Sequence, residues 1–162
     1  MFGLSAKRPG GVLRRGWSAA VDEYAIAGGW LLRSEMLMVC DAVGGVYAFD
    51  GKSGAPKWSQ RTVHEDGVLA VAVRPHGTMF ATAGQDGRVL IWGADGQIRQ
   101  SIHVDKGWVD NVAWSPDGQW LAASCSRQVY VYGVDGVEVW RSDTHPSTVS
   151  ALAWSSAKEL AT

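Results

Sequence analysis

A repeat of about 41 residues runs through this chain of 162 residues. It shows when four stretches are laid under one another. They are WSAAVDEYAIAGGWL from Trp17, WSQRTVHEDGVLAVAV from Trp58, RQSIHVDKGWVDNVAW from Arg99 and WRSDTHPSTVSALAW from Trp140. A period in this range means one supersecondary unit copied and stacked, each copy burying an apolar face it could not bury alone. The repeat therefore constrains architecture strongly. It constrains biological role weakly, because one repeat scaffold hosts many unrelated jobs.

Within each unit, runs of β-branched and aromatic residues alternate with turn signals. Pairs that tolerate positive φ fall at Gly44-Gly45, Asp50-Gly51, Asp86-Gly87, Asp95-Gly96, Asp117-Gly118 and Asp135-Gly136. The third unit reads as strands over 109–114, 120–125, 129–132 and 137–141. The second reads as strands over 68–73, 79–83, 88–92 and 97–102. The only stretch with any helical character, 22–37, is interrupted by Gly28-Gly29. Four antiparallel strands per unit make the blade of a β-propeller. The predicted fold is all-β, a partial propeller of four-stranded blades over 12–162. Full blades are expected at about 26–63, 68–104 and 108–142, with an incomplete blade from 149. An outer strand over 12–21 precedes them, after a disordered leader at 1–11 rich in Gly, Pro and basic residues.

Composition excludes several classes. The net charge of −1 offers no nucleic-acid footprint, and the basic cluster of Lys7, Arg8, Arg14 and Arg15 reads as solvated leader. No apolar run is long enough for a membrane span, and no signal-peptide core is visible. Cys40 and Cys125 lie in separate apolar strands without metal-ligand spacing, as two buried thiols of a reducing compartment would. His76 and His103 have no second ligand at metal spacing. The expectation is a cytoplasmic protein with no metal and no cofactor.

The stretches VLAVAVRPHGTMFATAGQDGRVLIW (68–92), VDNVAWSPDGQWLAASCSRQVYVY (109–132) and HPSTVSALAWSS (145–156) resemble WD40 repeats. That resemblance implies a structural hydrogen-bonded tetrad of His64, Thr82, Asp86 and Trp92. The first unit departs from it with Glu23, Val39 and Val43. The third departs with Asp105, Ala123 and Arg127, so loss of Asp105 is expected to cost little. The resemblance also implies a ring of about seven blades. This chain then supplies about half a ring, as the N-terminal part of a longer protein or, alternatively, as a short chain whose oligomer closes the ring. Open edges invite self-association. The implied function is non-enzymatic: a scaffold binding a protein partner on its loop face. Candidate contacts there are Trp108, Glu65, Asp66, Lys106, Gln85, Ser126 and Ser147, Trp108 foremost because exposed tryptophans so often anchor interfaces.

Two motifs imitate catalytic ones. His64, Thr82 and Asp86 have the residue types of a triad but no exposed nucleophile or elbow. Gly45–Ser53 nearly spells a phosphate loop but carries one residue too many before its Gly-Lys-Ser and reads as a hairpin. The longer string GVYAFDGKSGAPKW (45–58) resembles the repeat of pyrroloquinoline-quinone-type propellers. In those a tryptophan closes each blade by docking on a neighbour. The alternative it implies is a quinone-cofactor enzyme or an envelope-assembly protein.

Overall fold

A computed structural model of the chain describes residues 16–162 (the side chain of Ser34 excepted). Residues 1–15 lie outside it, and with them the predicted leader, its basic cluster and the first part of the predicted outer strand. The described chain is all-β, with no α-helix; Leu32–Ser34 forms one 3₁₀ turn. Three four-stranded antiparallel meanders follow one another. The first is β1 (Ala25–Leu31), β2 (Met36–Asp41), β3 (Val46–Asp50) and β4 (Pro56–Gln60). The second is β5 (Val68–Val73), β6 (Met79–Gly84), β7 (Arg88–Gly93) and β8 (Ile98–His103). The third is β9 (Val109–Trp114), β10 (Trp120–Cys125), β11 (Gln128–Gly133) and β12 (Glu138–Arg141). A two-stranded sheet, β13 (Ala153–Ser156) and β14 (Glu159–Ala161), comes last. Residues 16–21 are not a strand; no sheet of the described residues offers them a neighbour to pair with.

The middle strands explain why the sequence lacks clean alternation. The second blade lies between the first and the third, and the third between the second and the β13–β14 sheet, so both faces of β6, β7, β10 and β11 are buried. Small residues on the second strands (Ala81, Ala83, Ala122, Ala123) let neighbouring sheets approach, while larger ones on the third (Ile91, Trp92, Tyr130, Tyr132) fill the gap. Outer strands β4 and β12 are largely exposed.

Successive blades are also pinned by tryptophan. Trp58, on β4 of the first blade, reaches the β7–β8 turn of the second, and its Nε1–H donates to the Ala94 carbonyl at 2.8 Å. The indole lies flat against Gly96, whose φ of +79° suits a residue without Cβ; a Cβ there would stand 2.7 Å from the ring. Trp17 repeats the arrangement one blade earlier. Its Nε1–H donates to Gly51 O at 3.1 Å and its ring covers Gly54, which has φ +72°. The positive φ expected at Gly51 therefore belongs to Gly54, because the turn after Asp50 is longer than a two-residue hairpin loop.

The third position of this series is Gln100, not Arg99. Gln100 pairs with Ile91 as Trp58 pairs with Ala48 and Trp140 with Val131. It touches Gly136 where a tryptophan ring would otherwise lie. The units differ by a residue in length, so a fixed period lands one place early.

The turn glycines give a controlled test. Gly96→Ala and Gly136→Ala both place alanine at positive φ, at a cost of about 1–2 kcal/mol. Only Gly96→Ala also evicts an indole from its seat. It should lose about 1–3 kcal/mol more by urea denaturation; equal losses would show that the docked ring contributes nothing.

Candidate functional site

The second blade contains an unbroken polar chain. Trp92 Nε1–H, at the end of β7, donates to Thr82 Oγ1 on β6 at 2.9 Å. The Thr82 hydroxyl lies 2.8 Å from His64 Nε2, and His64 Nδ1 lies 3.0 Å from Asp86 Oδ1. Ionised Asp86 can only accept, so Nδ1 carries the proton, Nε2 accepts from Thr82, and every donor points the same way. His64 and Thr82 are fully buried, which the network permits because each polar atom is satisfied. Burial pushes His64 below the ordinary histidine range despite the pull of Asp86, so the ring is neutral. Burial alone would raise Asp86, but the His64 hydrogen bond and the Arg88 guanidinium prevail and hold it low.

Asp86 collects more partners than its sequence pattern announces. It also accepts from the backbone N–H groups of Glu65 and Arg88, and Arg88 Nη2 reaches it at 2.7 Å while bonding Val63 O. Gly84 makes the room: a Cβ there would lie 2.4 Å from His64 Nδ1. The chain continues as an aromatic stack. Trp92 lies on Phe80 with centroids 5.7 Å apart, and Phe80 lies against the docked Trp58 at 6.3 Å. With Thr82 and His64 sealed, no exposed nucleophile exists in this trio. Residues 45–53 are β3 and a hairpin turn, not a loop opening a helix.

The neighbouring blades use a different device. In the first, Tyr47 O–H donates to buried Asp41 at 2.7 Å, and Asp41 also accepts from the backbone N–H groups of Val43 and Gly45. In the third, Tyr130 O–H donates to Asp105 at 2.9 Å, with the Arg141 guanidinium over its ring at 4.7 Å. Burial and the facing carboxylate push both phenols up to about 12. Asp105 is thus not idle: it holds the hydroxyl of a buried tyrosine. Ala123 stands on β10, and the turn holding Arg127 is shorter than its counterpart in the second blade, with Ser126 supplying the positive φ.

The candidate contact residues sit at one end of the blades. There the loops joining consecutive blades meet the turns between second and third strands through backbone bonds. These are Val63 N–H to Gly44 O, Gln85 N–H to Gly67 O, Val104 N–H to Gly87 O and Val149 N–H to Ser126 O. Glu65, Asp66, Lys106, Ser126 and Ser147 are exposed, and Gln85 is half-buried. Trp108 is 57% exposed, between half-buried Gly107 and fully buried Val109.

Residues 57–93 and 94–133 match the family model described as WD domain, G-beta repeat. These two units are WD40 repeats. Curated relatives are WD-repeat proteins. The mouse intraflagellar transport protein 80 homolog is 28% identical over 98 residues, which is 60% of this chain and 13% of that protein. The small ribosomal subunit protein RACK1 of Schizosaccharomyces pombe is 26% identical over 107 residues, 57% of this chain and 32% of that protein. The chain thus spans only a minor part of the relatives it matches. A chain in the crystal structure of the mitotic checkpoint complex superposes with a TM-score of 0.73 at 18% identity, covering 84% of this chain and 44% of that one.

The WD40 units do not coincide with the sheets. The unit 57–93 holds most of β4 of the first sheet and then β5, β6 and β7 of the second. Each repeat in sequence therefore bridges two blades in space, and the first lays its leading tryptophan, Trp58, across the junction.

Three outcomes follow from these networks. His64→Ala should cost about 1–3 kcal/mol by chemical denaturation, since it strands Thr82 and Asp86. Asp105→Ala should destabilise less, because Asp105 is solvated, and Tyr130→Phe should erase that loss; a double-mutant cycle without coupling would contradict the pair. The third outcome concerns pH. The folded His64 pKa is depressed, so the unfolded chain binds the extra proton first. The stability this group contributes is whole above about pH 6.5 and is lost as pH falls below it, with a slope approaching about 1.4 kcal/mol per pH unit. Replacing His64 with Gln should flatten the stability profile between pH 5 and 6.5; an unchanged slope would refute the neutral, buried imidazole.

Proposed function

We propose that this chain is a non-enzymatic WD40 scaffold, an arc of a larger closed propeller, that binds a protein partner on its loop end around Trp108. The observation that supports this most is the Trp108 indole, held in solvent beside Lys106 on a loop tied by its backbone to rigid turns. A large aromatic on a preorganised surface loses little freedom on binding and buries much apolar area. Glu65, Asp66, Gln85, Ser126 and Ser147 would form its polar surround. The short coverage of its relatives supports the larger ring.

A cytoplasmic setting fits the two free cysteines, both buried, with the Cys40 thiol pushed up to about 12 by burial and so kept unreactive. No helix of the described residues is long and apolar enough to cross a membrane. The alternative of a quinoprotein-like or envelope-assembly propeller draws on the docked tryptophans. Trp58, however, docks from within a WD40 unit, so the docking does not by itself speak for quinone chemistry.

A photo-reactive residue placed at position 106 or 126, and at 76 or 97 on the opposite end, tests the reading. In lysate of the source cells, discrete protein adducts should form from 106 and 126 and disappear with Trp108→Ala, whose melting temperature should match that of the parent. Adducts formed equally from both ends, or indifferent to Trp108, would refute the loop end as the binding surface.

A further inference from the structure

The first and second blades leave a groove of about 550 Å³ at the end opposite the Trp108 loops. The β1–β2 turn walls it with Leu32, Arg33 and Glu35, and the end of β5 with the turn that follows walls it with Val73, Arg74 and His76. Both sheets have all four strands, so two complete blades form it. The next junction shows why it is open. There Arg74 reaches across to the third blade. Its Nε–H donates to Gly118 O at 2.7 Å, and its guanidinium lies 5.6 Å from the centroid of the buried Trp114 ring. Between the first and second blades Leu31 holds the place of Arg74, and Val73 that of Trp114. These shorter side chains do not span the gap: the atoms nearest Gly77, the counterpart of Gly118, belong to Arg74 and Pro75 of its own blade.

Charge gives the groove a sign. Among the described residues Arg61, Arg88, Arg99 and Arg141 each have a carboxylate partner. Arg33, Arg74 and Arg127 have none, and the first two both line this groove. Arg74 is half-buried, so its guanidinium gives up hydration without gaining a counter-charge. Asp117 feels that charge, but it is already bonded to the Ser115 hydroxyl and the Gln119 N–H. The backbone singles out the same walls. Leu32, Arg33 and His76 have φ of +51°, +53° and +54°, and they are half of the non-glycine residues at positive φ among those described. Gly77 stands beside His76 and does not take the left-handed place, whereas the third blade gives it to Gly118 at φ +68°. Backbone in this region persists where its surroundings impose it, and it gathers at ligand clamps. Both turns are held: Gly51 N–H donates to Glu35 O at 2.8 Å and Ala94 N–H to Thr78 O at 2.7 Å.

We propose that this groove binds an acidic segment of a partner protein, presenting a carboxylate side chain beside an apolar one. The guanidinium groups of Arg33 and Arg74 take the carboxylate, because their planar donor forks match its two oxygens. The His76 imidazole adds a polar contact, and the apolar neighbour lies on Leu32 and Val73. Glu35 stands in the same wall and repels a second negative charge, which selects an isolated carboxylate over a polyanion. The net charge of −1 likewise offers a nucleic acid no long-range pull. The site does not depend on the loop end around Trp108. Adducts captured from position 76 would belong to this second partner, be indifferent to Trp108 and vanish with Arg33→Gly, while position 97 lies outside the groove.

The probe is a phage-displayed library of random heptapeptides, selected in parallel on the 162-residue chain and on its Arg33→Gly variant. Peptides enriched on the parent alone should carry an aspartate or glutamate beside an apolar residue. The strongest of them, made synthetically and titrated, should move the backbone amide signals of Arg33, His76 and Thr78 in ¹⁵N-resolved spectra. Its affinity should fall at least about tenfold when the acidic residue is changed to its amide, and by a similar factor in Arg33→Gly. Arg33 is exposed and stands at positive φ, which glycine accepts without strain, so Arg33→Gly should keep or raise the melting temperature while it weakens binding. His76→Gly should act in the same way on both. Arg127→Gln, at the other end of the blades, should change neither. Enrichment of peptides without an acidic residue, no enrichment at all, or equal affinity for the parent and Arg33→Gly would overturn the proposal. A phosphoserine in the acidic position that tightened binding at least about tenfold would assign the groove to phosphorylated partners instead and also overturn it.

Discussion

The rest of the arc depends on the seating of an outer-strand indole on bare backbone of the next blade. A β-meander has no intrinsic reason to stand at a fixed angle to its neighbour, because its ladder hydrogen bonds run within the sheet. Trp58 supplies a directional link: one N–H bond to Ala94 and one flat face on Gly96. Through Phe80 it stacks onto Trp92, and through Trp92 it joins Thr82, His64 and Asp86. Asp86 in turn fixes the start of the loop that carries Glu65 and Asp66. One continuous path of rings and hydrogen bonds thus runs from the β7–β8 turn of the second blade to the loop that carries Glu65 and Asp66.

The blades solve the same problem in two ways. Where the full polar chain is absent, a buried tyrosine hydroxyl on the third strand finds a carboxylate, Asp41 within the first blade and Asp105 in the loop before the third. Both arrangements satisfy buried polar atoms at the loop end of the third strand. Both also leave the carboxylate at a turn or loop, where backbone N–H groups can share it. The rigid end this produces would suit the partner-binding role proposed for these loops, since affinity benefits when a surface is ordered before a partner arrives. Trp108 stands at that end.

Much of this fold was legible in the sequence for physical reasons. The Asp-Gly pairs signal positive φ, and those at Gly87, Gly96, Gly118 and Gly136 adopt it. Trp17 and Trp58 recur because each docks on a turn of the following sheet, and Trp140 holds the same register. The residues His64, Thr82, Asp86 and Trp92 could be named because the resemblance to WD40 repeats implies them at these positions. The tyrosine–carboxylate pairs were not legible. Tyr47 and Tyr130 look like ordinary strand aromatics, and Asp41 and Asp105 acquire meaning only when the hairpin brings the hydroxyl to them. Gln100 was missed because unit lengths vary while a period averages over them. The outer strand expected over 12–21 is not formed over 16–21, since an outer strand needs a third strand to bond, and among the described residues none lies beside it.

The most direct test of this account is hydrogen exchange at the individual tryptophan indoles, followed by ¹⁵N-resolved NMR. The docked indole of Trp58 should be protected together with Trp92, which is buried in the polar chain, while Trp108 and Trp140 exchange freely. If Trp58 exchanged as fast as Trp108, the seat on Ala94 and Gly96 would not hold the blades together, and the central claim would fail.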